Sequence, residues 1–184
     1  MSRFIITGGP GSGKTNLLEA LRALNYTCSE EASRQLIIQE VQQGSNCLPW
    51  IDMRCFADKA LQKMILSYEA TSGLGLTFYD RGIPDIIAYL KVAGLPVPEY
   101  YYEACQQHLY HQTVFILEPW QEIYINDSER WQTYPESEQL YMAIAEVYKS
   151  LNYNLIEVPK LTVNERADFI INYINSVLGD KDAR

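Results

Sequence analysis

The sequence contains few residues that bind metals or form cross-links. Four cysteines and two histidines occur in 184 residues, and no two cysteines are spaced as CxxC. The histidines, His108 and His111, also lack the spacing to cysteine that a zinc site needs. The sequence therefore predicts no structural zinc site, and it predicts that the cysteines are reduced thiols without a structural role.

Long apolar runs and clusters of positive charge are also missing. No apolar run approaches the ~20 residues that span a bilayer. The first residues, MSRFIITGG, have neither the apolar core of a signal peptide nor the Arg- and Ser-rich character of a transit peptide. The formal net charge of -8 at pH 7 would repel nucleic-acid phosphates. We therefore expect a cytoplasmic protein with no membrane span and no nucleic-acid partner.

Short apolar segments alternate with longer helical patterns along the chain. The predicted strands are 4–7, 26–28, 76–79, 113–117 and 155–158, and the predicted helices are 14–24, 31–42, 52–70, 84–92, 98–108, 137–151 and 163–178. Strands that are apolar throughout are typical of a parallel sheet with helices on both faces. This length suits one core, so we expect one α/β domain over residues 1–180 and a flexible tail at 181–184.

A glycine-rich segment, GGPGSGKT, follows the first predicted strand and opens the first predicted helix. It matches the phosphate-binding pattern G-x-x-x-x-G-K-[ST] in the context that the pattern requires. Backbone N–H groups and the helix dipole attract phosphate in such a loop. Lys14 is expected to contact the β- and γ-phosphates, and the Thr15 hydroxyl to bind Mg²⁺. We predict that ATP, with GTP as the alternative, binds to Gly8, Gly9, Pro10, Gly11, Ser12, Gly13, Lys14, Thr15 and Asn16.

An acidic residue and a basic residue end the third predicted strand. Asp80 and Arg81 directly follow the apolar segment 76–79. An acidic residue at such a position can bind Mg²⁺, usually through water, and ligands of open α/β sheets bind at this edge. We predict that Asp80 binds the metal and that Arg81 contacts a phosphate or the acceptor hydroxyl. The alternative is that Asp80 caps the next helix and Arg81 pairs with a surface carboxylate.

Two acidic residues, Glu30 and Glu31, follow the second predicted strand. A carboxylate at this edge of the sheet can accept the proton of an attacking hydroxyl, so Glu31 is a candidate general base. Favourable negative charge at a helix N-terminus explains the pair equally well.

The irregular segment 119–137 is the candidate lid, because long loops in compact domains are often binding elements. It carries one arginine, Arg130. Arg130 is a candidate catalytic residue that offsets the charge of the transferring phosphoryl group, as an arginine finger does. The alternative is a solvated loop arginine.

Several stretches resemble, in this order, the AAA-type ATPase-like P-loop family, which is grouped with the kinase domain of the nicotinamide-nucleotide regulator. They are GGPGSGKT, EEASR at 30–34, LPWIDMRCFA at 48–57, FYDRGIPD at 78–85, NDSERWQTYPESE at 126–138 and LIEVP at 155–159. The wider group is similar to nucleoside and nucleoside-monophosphate kinases. This resemblance implies a three-layer α/β/α P-loop fold whose five-stranded parallel sheet has the order 2-3-1-4-5.

The resemblance also implies roles for individual residues. A carboxylate after the second strand serves those kinases as base, an acidic residue and an arginine end the third strand, and the lid carries arginine. Glu31, Asp80, Arg81 and Arg130 match these positions. Arg34, one helical turn after Glu31, becomes a candidate partner of the substrate or the lid.

Two functions are consistent with these residues. The first is a kinase that transfers the γ-phosphate of Mg-ATP to a hydroxyl of a small, nucleoside-like molecule. The alternative is a regulatory ATP- or GTP-binding protein, or a slow NTPase, whose lid is ordered by nucleotide. The lid supplies one arginine where nucleotide kinases commonly bring several, and no guanine-reading NKxD motif occurs. The sequence determines neither the acceptor nor the oligomeric state.

Overall fold

Strands and helices alternate in the computed structural model, which describes residues 2–71, 73–123 and 133–179. The strands are β1 (Arg3–Gly8), β2 (Thr27–Cys28), β3 (Thr77–Asp80), β4 (Thr113–Leu117) and β5 (Asn154–Glu157). The α-helices are α1 (Lys14–Ala23), α2 (Ala32–Gln42), α3 (Met53–Ala70), α4 (Ile83–Val92), α5 (Glu99–Gln107), α6 (Tyr134–Ser150) and α7 (Val163–Gly179).

The five strands form one parallel sheet in the order β2-β3-β1-β4-β5. This confirms the predicted fold and strand order. Each predicted strand and helix is present, and most ends differ by one residue. The largest shift is at α6, which begins at Tyr134, three residues before the predicted start. Thr133 and Glu136 explain it, because they form a capping box at this earlier position.

The central strands divide the core between two helix layers. Ile5 packs in a cluster with residues of α2 to α6, whereas its neighbours Phe4 and Ile6 pack with α1 and α7. In β4, Ile116 faces the first cluster and Phe115 the second. Successive side chains of a strand point to opposite faces, and both faces are covered. A strand covered on both faces favours a continuous apolar segment, such as residues 4–6 of β1 and 114–117 of β4.

The prediction of four reduced cysteines was wrong for one pair. Cys47 and Cys55 form a disulfide, whereas Cys28 and Cys105 are free thiols. The segment between α2 and α3 turns back on itself, so the Cα atoms of the pair lie 5.3 Å apart. Spacing along the sequence does not reveal this turn.

Some predictions lie outside what the structure tests. Residues 181–184, the predicted tail, and Arg130 are outside the described residues. The domain boundary at residue 180 stays a prediction. Within the described part of the chain, no helix is long and apolar enough to cross a bilayer.

Candidate active site at the carboxyl edge of the sheet

The glycine-rich loop joins the end of β1 to the start of α1. Gly8 and Gly13 have φ angles of 143° and 81°. A Cβ atom at Gly8 would overlap the backbone of Leu117, and one at Gly13 would lie 2.9 Å from a guanidinium nitrogen of Arg166. Glycine is therefore required at both positions for steric reasons. The loop ends at the N-terminus of α1, where unpaired N–H groups favour an anion.

Lys14 lies across this loop. Its Nζ donates hydrogen bonds to the carbonyl oxygens of Gly8 and Gly9, at 3.0 and 3.1 Å. Burial and the positive charge of Arg81 lower the pKa of Lys14, Asp80 and Glu31 oppose the shift, and the resulting pKa is about 8. The ammonium form still predominates at pH 7. A bound phosphate would stabilise that form by pairing with the ammonium.

Arg81 connects the loop to the two neighbouring elements. It is 6% exposed and has a left-handed φ of 69°. Its Nη1 donates to the carbonyl oxygen of Gly8 at 2.9 Å and lies 3.5 Å from Oδ1 of Asp85, and its Nε lies 3.9 Å from Oε1 of Glu31. The structure thus brings the predicted residues Arg81 and Glu31 together beside the phosphate loop. The Arg81 guanidinium is buried, so the surface-pair interpretation was wrong.

Glu31 and Glu30 have different surroundings despite their adjacency. Glu31 is the N-cap residue of α2, but its side chain accepts no capping hydrogen bond. That side chain instead faces Arg81 and is 26% exposed. Glu30, just before α2, is exposed and accepts a hydrogen bond from Gln35 of that helix. Only Glu31 therefore lies where a general base would be needed.

Asp80 ends β3 and is 5% exposed. Its backbone N–H donates to Oγ of Ser29 at 3.0 Å, whereas its Oδ1 is buried without a hydrogen-bond partner. Burial and the negative charge of Glu31 raise the pKa of Asp80, Lys14 and Arg81 oppose the shift, and the resulting pKa is about 6. A buried, unpartnered carboxylate oxygen suits a cation. Asp80 does not cap the following helix, so that interpretation was wrong.

A hydroxyl and a carboxylate together fit Mg²⁺. In phosphate-transferring sites the protein supplies one or two oxygen ligands, and phosphates and water supply the rest. Thr15 lies in the first turn of α1 and lines the same pocket as Lys14. The chemistry of Thr15 and Asp80 is that of such a partial ligand set.

Asp85 caps α4 and also holds Arg81, a role that sequence reasoning missed. It is 1% exposed and accepts hydrogen bonds from the hydroxyls of Thr7 and Tyr148 and from the backbone of Gly82. The bond from Tyr148 is 2.6 Å long. Asp85 lies three residues after Gly82, the N-cap of α4, and an acidic side chain at this position reaches back to the backbone N–H of the N-cap residue. This spacing was the available signal.

Arg166 is the second functional residue that sequence reasoning missed. It lies on α7, is buried, and donates from Nη1 to the carbonyl oxygen of Ser12 at 3.3 Å. Its Nε has no hydrogen-bond partner, and its guanidinium lies 5.8 Å from the ring centroid of Trp120. Burial lowers its pKa. It adds positive charge directly beneath the loop, and no local pattern in the sequence marks it.

A pocket extends from the phosphate loop between α2, α3 and α4. The predicted residues that line it are Pro10, Gly11, Ser12, Gly13, Lys14, Thr15, Glu31, Arg34 and Arg81. Gly8 and Gly9 form the start of the loop without lining the pocket, and Asn16 is exposed on α1. The remaining described lining residues are Ser33, Ile37, Pro49, Met53, Phe56, Ala57, Ala60, Met64, Asp85, Ile86 and Tyr89.

Comparison with known proteins identifies related folds. A family model described as an AAA domain matches residues 3–166. No curated protein sequence matches this one. Deoxyadenosine kinase from M. mycoides, solved with the products dCMP and a flexible dCDP, has a TM-score of 0.69 and 18% sequence identity, over 95% of this chain and 99% of that one.

Two structures of the NadR protein are also similar. The complex with NR has a TM-score of 0.72 and 14% identity, and the complex with NAD and AMP-PNP has a TM-score of 0.64 and 19% identity. The two alignments cover 95% and 97% of this chain, and each covers 50% of the NadR chain. At these identities the likeness concerns the fold, which is that of P-loop kinases.

Proposed function

The chain belongs to the AAA domain family, whose model its residues 3–166 match, and we propose that it is a P-loop kinase acting on the hydroxyl of a small molecule. Mg-ATP is the proposed phosphate donor, and GTP is the alternative. Nucleosides are the reference acceptors, because the similar structures include a deoxyadenosine kinase.

One observation carries this proposal, namely the position of Glu31 and Arg81. Both line a pocket that begins at the phosphate loop, and their charged atoms lie 3.9 Å apart. A phosphoryl-transfer site needs a base for the acceptor hydroxyl and a positive charge near the γ-phosphate. A protein that only binds or hydrolyses nucleotide has no need of a pocket that places a carboxylate and an arginine beside the phosphate loop.

The proposed reaction assigns a task to each residue. The loop N–H groups bind the phosphates, and Lys14 turns from the carbonyl oxygens of Gly8 and Gly9 to the β- and γ-phosphates. Thr15 and Asp80 would hold Mg²⁺, which would neutralise phosphate charge. Glu31 accepts the proton of the acceptor hydroxyl, whose oxygen bonds to the γ-phosphorus as the bond to ADP breaks. Arg81 offsets the charge on the transferring group.

Arg130 completes this proposal from outside the described residues. An arginine from the lid segment would add positive charge at the γ-phosphate. The presence of only one arginine in that segment favours the second candidate function, a regulatory nucleotide-binding protein or slow NTPase.

The experiment compares Glu31→Gln with Glu30→Gln. ADP formation from Mg-ATP is measured with a panel of nucleosides and other alcohols, and ATP affinity is measured by calorimetry. Loss of a general base lowers kcat by roughly 10²–10⁴-fold, so Glu31→Gln should lose that activity while its ATP affinity stays within about twofold of wild type. Glu30→Gln is the matched control, because Glu30 is exposed and outside the pocket.

The two candidate functions give different results in this experiment. Acceptor-dependent ADP formation that depends on Glu31 supports the kinase. ATP consumption that stays at background with every acceptor, together with tight nucleotide binding, rejects the kinase and supports the regulatory protein.

A further inference from the structure

The wall of the pocket formed by α3 is apolar along its whole length. Its lining residues are Met53, Phe56, Ala57, Ala60 and Met64. Their spacing of three and four residues places them in one stripe on the helix. Eleven residues of α-helix rise about 16 Å, so the stripe is longer than a single ring. The last four of these residues are buried, with exposures between 2% and 8%.

Apolar residues of the two other helices also line the pocket. On α2, Ser33 and Arg34 line the pocket within one turn of Glu31, and Ile37 follows one turn later. On α4, Asp85 is followed by Ile86, which is 5% exposed. The Tyr89 ring centroid lies 5.5 Å from the Arg81 guanidinium, at the charged end. Among the described lining residues, the charged and hydroxyl groups therefore gather at the phosphate end.

The separation of charged and apolar lining residues affects which acceptors can bind in the pocket. A nucleobase carries several N–H and carbonyl or ring-nitrogen groups that water binds strongly. Each such group buried without a partner weakens binding by roughly five- to 150-fold. Each methylene buried against an apolar wall instead strengthens binding roughly fourfold. The side chains of the α3 stripe offer apolar contacts only and no hydrogen bonds.

Resting on the proposed kinase function, we propose that the acceptor is an alcohol with an apolar or aromatic body. Its hydroxyl lies between Glu31 and Arg81, and its body lies along the α3 stripe. Two of the five stripe residues are methionines, whose unbranched side chains adapt to different shapes. The pocket therefore accepts alcohols whose apolar bodies differ in shape but are similar in polarity.

The test uses acceptors that differ in one polar atom. Phenylpropanol and pyridylpropanol have the same shape, and the pyridine nitrogen needs a hydrogen bond that the stripe does not supply. ADP formation from Mg-ATP should show a kcat/KM for phenylpropanol at least tenfold above that for pyridylpropanol and at least 100-fold above those for nucleosides. Binding of each alcohol to the protein loaded with Mg-ADP is measured in parallel by calorimetry.

The parallel measurement separates this inference from the kinase proposal. Nucleosides that are phosphorylated as well as or better than phenylpropanol overturn the inference and leave the kinase intact. Phenylpropanol that binds with the stated preference while ATP consumption stays at background with every acceptor supports the inference about the pocket and rejects the kinase. No preference for phenylpropanol over pyridylpropanol in either measurement also overturns the inference.

Two pairs of variants locate the preference on α3. Met64→Gln places an amide on the stripe, and Met64→Leu keeps it apolar. We expect the phenyl-to-pyridyl ratio to fall at least fivefold in Met64→Gln and to persist in Met64→Leu. Ala60→Ser and Ala60→Cys provide a second, smaller pair should Met64→Gln not fold. Equal ratios in both members of the pair that folds overturn the placement of the body along α3.

Discussion

Asp85 illustrates how one residue can determine the geometry of the site through the neighbours that it holds. It accepts hydrogen bonds from β1, from α6 and from the start of α4, and it pairs with Arg81. Arg81 has a left-handed backbone, which costs free energy in a non-glycine residue. The bonds to Asp85 and to the carbonyl oxygen of Gly8 offset that cost and hold the guanidinium next to Glu31.

Asp85→Asn tests this positioning role. The amide keeps the shape but loses the negative charge and one acceptor, so a buried donor is left unsatisfied. We expect the free energy of unfolding to fall by about 3 kcal/mol, as measured by urea denaturation. Tyr148→Phe removes only one of the hydrogen bonds and should cost about 1–2 kcal/mol. An Asp85→Asn protein as stable as wild type would contradict the network.

For Asp80 we predict the opposite effect of substitution on folding stability. Its unpartnered carboxylate is buried, which disfavours the charged form. Asp80→Asn should therefore leave the metal-free protein as stable as wild type or more stable. The Mg²⁺ concentration needed for half of the thermal stabilisation by ATP should rise at least tenfold, because a metal ligand is lost. An unchanged Mg²⁺ requirement would remove Asp80 from the metal site.

At the scale of elements, α3 connects the pocket to the rest of the fold. Cys55 in its first turn is joined to Cys47. Lys59 lies 2.7 Å from Glu40 of α2, and Asp58 accepts a hydrogen bond of 2.6 Å from Tyr101 of α5. The apolar stripe is therefore held by a covalent link at one end and by polar links to two neighbouring helices.

Cys47→Ser tests the covalent link. A disulfide that closes a loop of about nine residues limits the unfolded chain, which is worth about 2.5 kcal/mol in the chain-entropy account. We expect urea denaturation to show a loss of this size in Cys47→Ser, and a similar loss in wild type with reductant. Cys28→Ser, at a free thiol, should respond to reductant as wild type does. A wild-type protein that is insensitive to reductant would contradict the disulfide.

At the scale of the whole molecule, the sheet separates two clusters of apolar side chains, and the larger one contains buried hydroxyl and thiol groups. Tyr101, Tyr110, Tyr148 and Cys105 belong to this cluster. Burial raises the pKa of Cys105 to about 12 and those of Tyr110 and Tyr148 well above the ordinary value. The fold therefore holds these groups in their neutral forms.

Alkaline pH should consequently destabilise the protein. Groups whose pKa is raised by folding contribute stability that is fully present below the unfolded pKa, about 8.5 for Cys and 10 for Tyr, and is lost as pH rises through the folded pKa. We expect the urea midpoint to fall from about pH 10 upward, because between about pH 8 and 10 the loss from Cys105 is opposed by Lys14, whose pKa folding lowers to about 8. Cys105→Ala should make the fall above pH 10 shallower. A midpoint that is constant up to pH 11 would contradict the prediction.

Much of the fold and part of the site follow from local patterns. The strands β1 and β4 contain continuous apolar segments, at 4–6 and 114–117, because helices cover both faces of the sheet. These segments can be recognised in the sequence. The steric demand for glycine at Gly8 and Gly13 and the helix after Lys14 are local too. The positions of Asp80 and Arg81 follow from the end of β3, and the strand order follows from the family resemblance.

Other features depend on contacts between distant segments, and only the tertiary structure decided them. Tyr148 bonds to Asp85 across 63 positions, and Arg166 bonds to Ser12 across 154. Cys47 and Cys55 meet because the chain reverses between α2 and α3. The sequence by itself predicted the phosphate loop, because a glycine loop between a strand and a helix forms such a site from its own backbone. The surroundings of that loop are side chains from several elements, and their packing in three dimensions sets which charges are paired and which wall of the pocket is apolar.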